Sequence, residues 1–219
     1  MFSGCYSLES VPAFDTTKVT DMTSTFASCN KIKTIPKFNT SNVTSMQSTF
    51  NSCLNLTEMP LLNTSKVTSM ATTFNNCVSL QNVPAFNTAN VTQMQSTFAS
   101  CGLLQTIPTF NTGKVTTMQF TFQNCYSLTN IPSMNVNSVS SSSGLTGMIL
   151  NCSSLSRITA NNFNFTFSVA SCKLSSDALN EIYTKLPTVV AQTITVTGNY
   201  GIANDDPTIA TAKGWTVTG

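Results

Sequence analysis

Cysteine recurs at one fixed interval, at Cys5, Cys29, Cys53, Cys77, Cys101 and Cys125, and three other residue types keep step with it. Phenylalanine stands at Phe2, Phe26, Phe50, Phe74, Phe98 and Phe122, proline at Pro12, Pro36, Pro60, Pro84, Pro108 and Pro132, and valine at Val19, Val43, Val67, Val91, Val115 and Val139. A constant period within the range of roughly 20 to 50 residues marks a repeat architecture, in which one unit cannot bury its apolar face alone and stacked neighbours share a continuous core. Within a unit the apolar positions fall at steps of three or four, as in Val43, Met46, Phe50, Cys53, Leu56, Met59 and Leu62. That spacing fits neither a flat strand of period two nor a long helix. Proline in every unit removes an amide donor and clashes with the preceding turn, which excludes a continuous helix. The pattern predicts a repeat solenoid. Each coil has short strands near the Leu-x-x-Ile/Val and Val-Thr segments and a tight helical or 3-10 turn through Met-x-x-Thr-Phe.

The register slips after Ile131, and the step from Cys125 to Cys152 is longer than those before it. Residues 1–158 therefore read as the solenoid with a degenerate last coil, and residues 159–219 as a small α/β C-terminal cap. Ser175-Ser176-Asp177 offers a helix N-cap, and Leu179, Ile182, Tyr183 and Leu186 form one apolar face before Pro187 stops the helix. Thr193 to Thr197 alternates like a strand. Asp206 and Pro207 suit the cap and first residue of a short helix, Gly214 its stop, and Trp215 to Val217 a final strand. At the other end Met1 stands where later units have Thr and Phe2 is already the repeat Phe, so the first coil opens without a cap. An uncapped coil exposes strand edges. It is either part of a longer polypeptide or a coil left for a partner, and it leaves room for self-association or continuation of the stack.

Composition narrows the chemistry. Hydrophobic residues make up 41% of the chain, yet only 8% are charged, against about 25% in ordinary domains, so Ser, Thr and Asn supply the polarity. A formal charge of +2 without any Lys/Arg run gives no footprint for nucleic acid. Histidine is absent, which removes Ser-His-Asp and Cys-His nucleophile pairs and the commonest metal ligand. The sequence is read as non-enzymatic, without cofactor. No apolar stretch reaches the roughly 18 to 20 residues of a membrane span, and the start MFSGCYSLES has neither the basic region nor the apolar region of a signal peptide.

Stacked cysteines at a repeat period have parallel Cβ vectors, which disfavours disulfides between coils and predicts a ladder of buried thiols. Cys152 and Cys172 lie outside the period and either pair or are buried singly. No C-x-x-C occurs for zinc. Asn204-Asp205-Asp206 lacks the spaced oxygen ligands of a calcium loop and reads as helix capping.

The polar constant of the repeat is a corner: Asp15-Thr16, Asn39-Thr40, Asn63-Thr64, Asn87-Thr88 and Asn111-Thr112. Such side chains satisfy backbone groups in Asx and ST turns. Columns of Thr (Thr20 to Thr116, Thr25 to Thr121) could be compared with ice-binding arrays, but they stand five residues apart across a bend and Lys18, Lys66 and Lys114 interrupt the adjoining column. Other positions vary freely, above all the two residues after each Cys. Variation on a constant scaffold suits a grafted recognition surface and equally suits unconstrained solvent positions. The candidate ligand-binding residues are Tyr6, Leu54, Val78, Leu103 and Tyr126.

The string F-x-x-C-x-x-L followed by I-P, with the N-T-S-x-V-T-x-M segment, resembles the BspA-type leucine-rich repeats and related repeat-rich surface proteins of mycoplasmas and other bacteria, over about residues 1–155. That resemblance implies a leucine-rich-repeat-like fold and a role in adhesion or host-surface recognition. The segment ALNEIYTKLPTV, with TITVTGN and IATAKGWTVTG, looks like the closing module of phage tail-fibre proteins that carry such repeats. Together they lead us to expect a receptor-binding or surface-attachment part of a phage tail fibre or bacterial surface protein. It would be extracellular, with a cell-surface protein or glycan as partner. The alternative is a structural spacer without its own ligand.

Overall fold

Successive units meet along single parallel bridges, Asp21 to Ser45, Ser45 to Ser69, Ser69 to Gln93 and Gln93 to Thr117, in a computed structural model that describes residues 1–159 and 161–219. The short strands expected inside each unit are thus reduced to one residue. Near Leu-x-x-Ile the reason is proline, which withholds a donor from the ladder. Contact there falls to isolated bonds such as Thr57 N–H to the Lys33 carbonyl at 3.0 Å and Gln81 N–H to the Thr57 carbonyl at 3.3 Å.

The segment from Met to Cys also departs from expectation, because it is not a 3-10 helix. Ser24 and Ser28 have φ of 54° and 61°, and Ser48/Ser52, Thr72/Asn76, Ser96/Ser100 and Phe120/Asn124 repeat the sign. A helix requires negative φ throughout. One left-handed residue in every four breaks the segment into consecutive turns whose third residue has positive φ. The amides then point alternately outward and inward along the stack. Met46, Ser48, Phe50 and Ser52 donate to the carbonyls of Ser69, Ala71, Thr73 and Asn75 in the next unit at 2.7 to 3.0 Å, while Thr49, Asn51 and Cys53 donate back to Met46, Ser48 and Phe50.

This zipper holds identical side chains in register. The rings of Phe26, Phe50, Phe74, Phe98 and Phe122 stack with centroids 5.6 to 5.8 Å apart and planes within 8° of parallel. Thr49, Thr73, Thr97 and Thr121 are buried beside them. The Thr97 hydroxyl lies 2.8 Å from its own Met94 carbonyl and 2.9 Å from that of Met70 in the preceding unit. Buried hydroxyls with partners are tolerated where orphaned ones are not, and burial removes this column from any surface array. At the opposite corner Thr40, Thr64, Thr88 and Thr112 donate to the next unit's Asn carbonyl at 2.7 to 2.9 Å. Asn39, Asn63, Asn87 and Asn111 each accept from the amide two residues on at 3.1 Å, as the Asx-turn reading predicts.

Beyond the repeats, β1 (Asn130–Ile131) pairs in parallel with β2 (Arg157–Ile158), and a 3-10 turn covers Ser142–Leu145. Then follow β3 (Phe167–Ser168), α1 (Ser176–Lys185), β4 (Gln192–Thr195), α2 (Thr208–Thr211) and β5 (Trp215–Thr218). The three strands form a parallel sheet in the order β3-β4-β5, with Phe167 opposite Ile194 and Ile194 opposite Val217. Parallel stacking therefore continues to the C-terminal end, with a helix in each connection. α1 starts where predicted: Ser175 Oγ accepts from Ala178 N–H at 3.2 Å. α2 starts one residue later than the Asp206-Pro207 pair suggests, with Pro207 at the cap position, yet Asp206 Oδ1 still accepts from Thr208 N–H at 3.1 Å. Asn199, buried beyond β4, donates to the carbonyls of Val169 and Val196 at 2.8 and 2.7 Å and accepts from Leu174 N–H.

All eight cysteines are free. Cys29, Cys53, Cys77, Cys101, Cys125, Cys152 and Cys172 are buried, which resolves the open question over Cys152 and Cys172. Cys5 is exposed and does not belong to the core ladder.

Candidate functional site

Two consecutive turns throw the residues after each Cys outward. In the third unit Cys53 N–H closes one turn on Phe50 at 3.0 Å and Leu56 N–H closes the next on Cys53 at 3.1 Å, which leaves Leu54 and Asn55 at the outer corner. Neighbouring corners are tied together, by Asn55 N–H to the Asn30 carbonyl and by Ser127 N–H to the Gly102 carbonyl, both at 3.2 Å. The positions form a column along the stack. Tyr6 is 64% exposed, Val78 40%, Leu103 50% and Tyr126 51%. Leu54 is only half-buried rather than fully exposed, so its share of this surface is smaller than its place in the repeat suggests. Asn30 separates Tyr6 from the others, and Leu54, Val78, Leu103 and Tyr126 follow on four consecutive units. Gly102 has no side chain to lift the Tyr126 ring: a Cβ there would already touch Tyr126 Cδ2 at 3.5 Å.

The surroundings are almost free of charge. From Val67 to Ser156 the sole charged residue is Lys114, and its ammonium is held by Asn90 Oδ1 at 2.8 Å. An aromatic and two or three aliphatic side chains among neutral hydroxyls and amides can stack on an apolar ligand face and exchange hydrogen bonds with it. The surface offers little acid-base chemistry. The thiols beneath it are poor nucleophiles, because burial pushes Cys77, Cys101 and Cys125 well above the ordinary thiol range and only the thiolate attacks or binds metal. Among the described residues no cluster of acidic or cysteine side chains is placed to hold a metal ion.

Sequence reasoning missed other exposed apolar residues. Leu61, 54% exposed, stands after the repeat proline where other units have Ala13, Lys37, Ala85 and Thr109, a variable column that the alignment of units could have revealed. Val190 at 88% and Tyr200 at 72% lie outside the repeats, where no such comparison exists.

A family model described as "Mycoplasma protein of unknown function, DUF285" matches residues 1–63 and again residues 54–163. The chain belongs to the DUF285 family. Two overlapping matches to one model agree with a repeat protein, and the column of candidate residues from Tyr6 to Tyr126 lies wholly inside the DUF285 region. α1, β4, α2 and β5 lie beyond it. No curated protein matches the chain. No helix among the described residues is long and apolar enough to cross a membrane.

Proposed function

We infer that the stacked units form a leucine-rich-repeat-like solenoid and that this DUF285 chain works by recognition rather than catalysis. It serves as the receptor-binding or surface-attachment part of a phage tail fibre or bacterial surface protein, outside the cell. The observation that carries this reading is the column Val78, Leu103 and Tyr126, apolar and exposed on the stretch from Val67 to Ser156 whose one charge is Lys114. A soluble surface ordinarily spends those corners on charged groups. The partner that suits it is an uncharged face of a cell-surface protein or glycan, gripped by aromatic and aliphatic anchors that carry most of the affinity. The resemblance to BspA-type repeats and to phage tail-fibre modules supports the compartment and the adhesive role.

The test is a triple variant, Val78→Ser, Leu103→Ser and Tyr126→Ser, applied to a whole-cell panel and a glycan array. Exposed side chains contribute little to folding, so the melting temperature stays near that of the parent while attachment is lost. Attachment retained by the folded variant overturns the reading. The structural spacer then takes its place, with any binding lodged elsewhere.

A further inference from the structure

One column of the turn zipper, well inside the stack, breaks its own rule. Ser24, Ser48, Thr72, Ser96, Phe120 and Gly147 occupy equivalent places, all with φ between 52° and 59°. Every other member is glycine or carries a small hydroxyl, which neighbours can use: Ser48 Oγ and Thr72 Oγ1 lie 2.7 Å apart. A bulky side chain at positive φ is a conformational outlier, and strain that a fold retains points to a use for it. The core does not need this ring. Phe122, fully buried, already fills the inner phenylalanine position of the unit.

The ring is half-buried and leans on the following unit. Phe120 N–H donates to the Thr146 carbonyl at 2.9 Å, and the ring takes the space that a side chain at Gly147 would fill. One turn on, Leu150 N–H donates to the Gly147 carbonyl at 3.1 Å, and its side chain is 44% exposed where earlier units carry Ala27, Asn51, Asn75, Ala99 and Gln123. Around this ring and leucine stand neutral amides and hydroxyls. Gln119 and Gln123 share the ring's unit, Ser96 precedes it, and Thr146 follows it, all at least partly exposed. No charge competes, since Lys114, the sole charged residue from Val67 to Ser156, is engaged by Asn90 at a different corner.

These features select the chemistry of an occupant. One ring and one leucine fall far short of the roughly 800 Å² that each partner of a stable protein pair covers. A carboxylated or phosphorylated ligand would lose hydration without meeting a cation. A neutral pyranose matches on both counts: the C–H groups of its apolar face meet the negative face of an aromatic ring, while its edge hydroxyls exchange hydrogen bonds with side-chain amides.

We propose that Phe120 is the stacking plate of a neutral-hexose site, with Leu150 beside the sugar and Gln119, Gln123, Ser96 and Thr146 around its hydroxyls. The chain keeps a strained phenylalanine there because the sugar, not the core, uses the ring. This site is separate from the column of Val78, Leu103 and Tyr126 and stands whether or not that column binds anything.

Amide chemical-shift titration of the full chain with methyl β-galactopyranoside and methyl β-glucopyranoside tests it. At least one sugar should shift the amides of Phe120, Gln123 and Gly147, and N-acetylneuraminate should not. Phe120→Ser, which restores the residue of Ser24, Ser48 and Ser96, should weaken that binding by about tenfold or more while the melting temperature stays level or rises. Phe120→Tyr should keep the binding, and so should the triple variant Val78→Ser, Leu103→Ser and Tyr126→Ser. The proposal is overturned if neither sugar shifts these amides, if the shifts survive Phe120→Ser, or if the triple variant removes them. A clear drop in melting temperature for Phe120→Ser also overturns it and assigns the ring to packing.

Discussion

The thiol of Cys77 donates to the carbonyl oxygen of Phe50 at 3.1 Å, across the joint between two units. Cys53 with Phe26, Cys101 with Phe74 and Cys125 with Phe98 repeat the bond at the same distance. The small apolar residue that fills the core is therefore also a tie between units.

Native alkylation should separate the eight cysteines sharply. Cys5, exposed, should react at once, and the seven buried thiols only after denaturation. Mass measurement of native and unfolded samples reads this directly. Any disulfide between successive ladder members would contradict the packing.

Stability should fall in alkali. Burial, helped by the charge that a neighbouring thiolate would carry, pushes Cys53 from an ordinary 9.0 up to about 12. The folded state thus keeps its protons longer than the unfolded one. Stability is intact below pH 9 and is lost progressively toward pH 12, at about 1.4 kcal/mol per pH unit for each thiol that titrates only on unfolding. Denaturant melts across that window should show the decline, with a shallower slope for Cys77→Ala. A flat profile would place the thiols in contact with water.

Phe74→Ala should cost about 3 to 5 kcal/mol, the range for deleting a buried aromatic. Phe74 is fully buried and stacked at 5.6 Å on both Phe50 and Phe98. Because each unit touches only its neighbours, calorimetry should also show the transition broaden as the two halves uncouple. A loss below about 1 kcal/mol would exclude the Phe column from the core.

Phe120 and Gly147 should be energetically coupled. Phe120 has φ 54°, an unfavourable value for a bulky residue, and Gly147 at φ 59° follows it in the next unit. A Cβ on Gly147 would overlap the Phe120 ring. Gly147→Ala should destabilise by about 1 to 3 kcal/mol, and by clearly less in a Phe120→Ala background. Equal losses in both backgrounds would show that the ring is not the obstacle.

The constant period and the proline in each unit were enough to read a repeat protein with a buried Phe and Cys ladder and Asn corners. The path of the backbone between them was not legible. Left-handed conformation usually announces itself through Gly or Asn, whereas here Ser24, Ser48, Ser96 and even Thr72 adopt it, because the joint to the next unit rewards the amide direction more than the residue type resists it. Leu54 illustrates the limit for the candidate site: repeat position places it at a corner, but only neighbouring side chains decide how far it is covered. The parallel stacking of β3, β4 and β5 was hidden for another reason. Its steps, Phe167 to Ile194 and Ile194 to Val217, are unequal and enclose helices, so no period survives.

Lys66 reaches Asn42 and Lys114 reaches Asn90, and those two asparagines in turn donate to the carbonyls of Thr17 and Ser65 at 2.9 Å. The pattern repeats at every second unit, from Lys18 to Lys66 and from Lys66 to Lys114. Removing one unit between two of these lysines would set two ammonium groups in adjacent rows, where like charges repel. Removing two would leave the alternation whole. Unequal exchange in a gene of this kind thus meets least electrostatic resistance when it adds or deletes units in pairs, and chain length in such a lineage is expected to change by even steps.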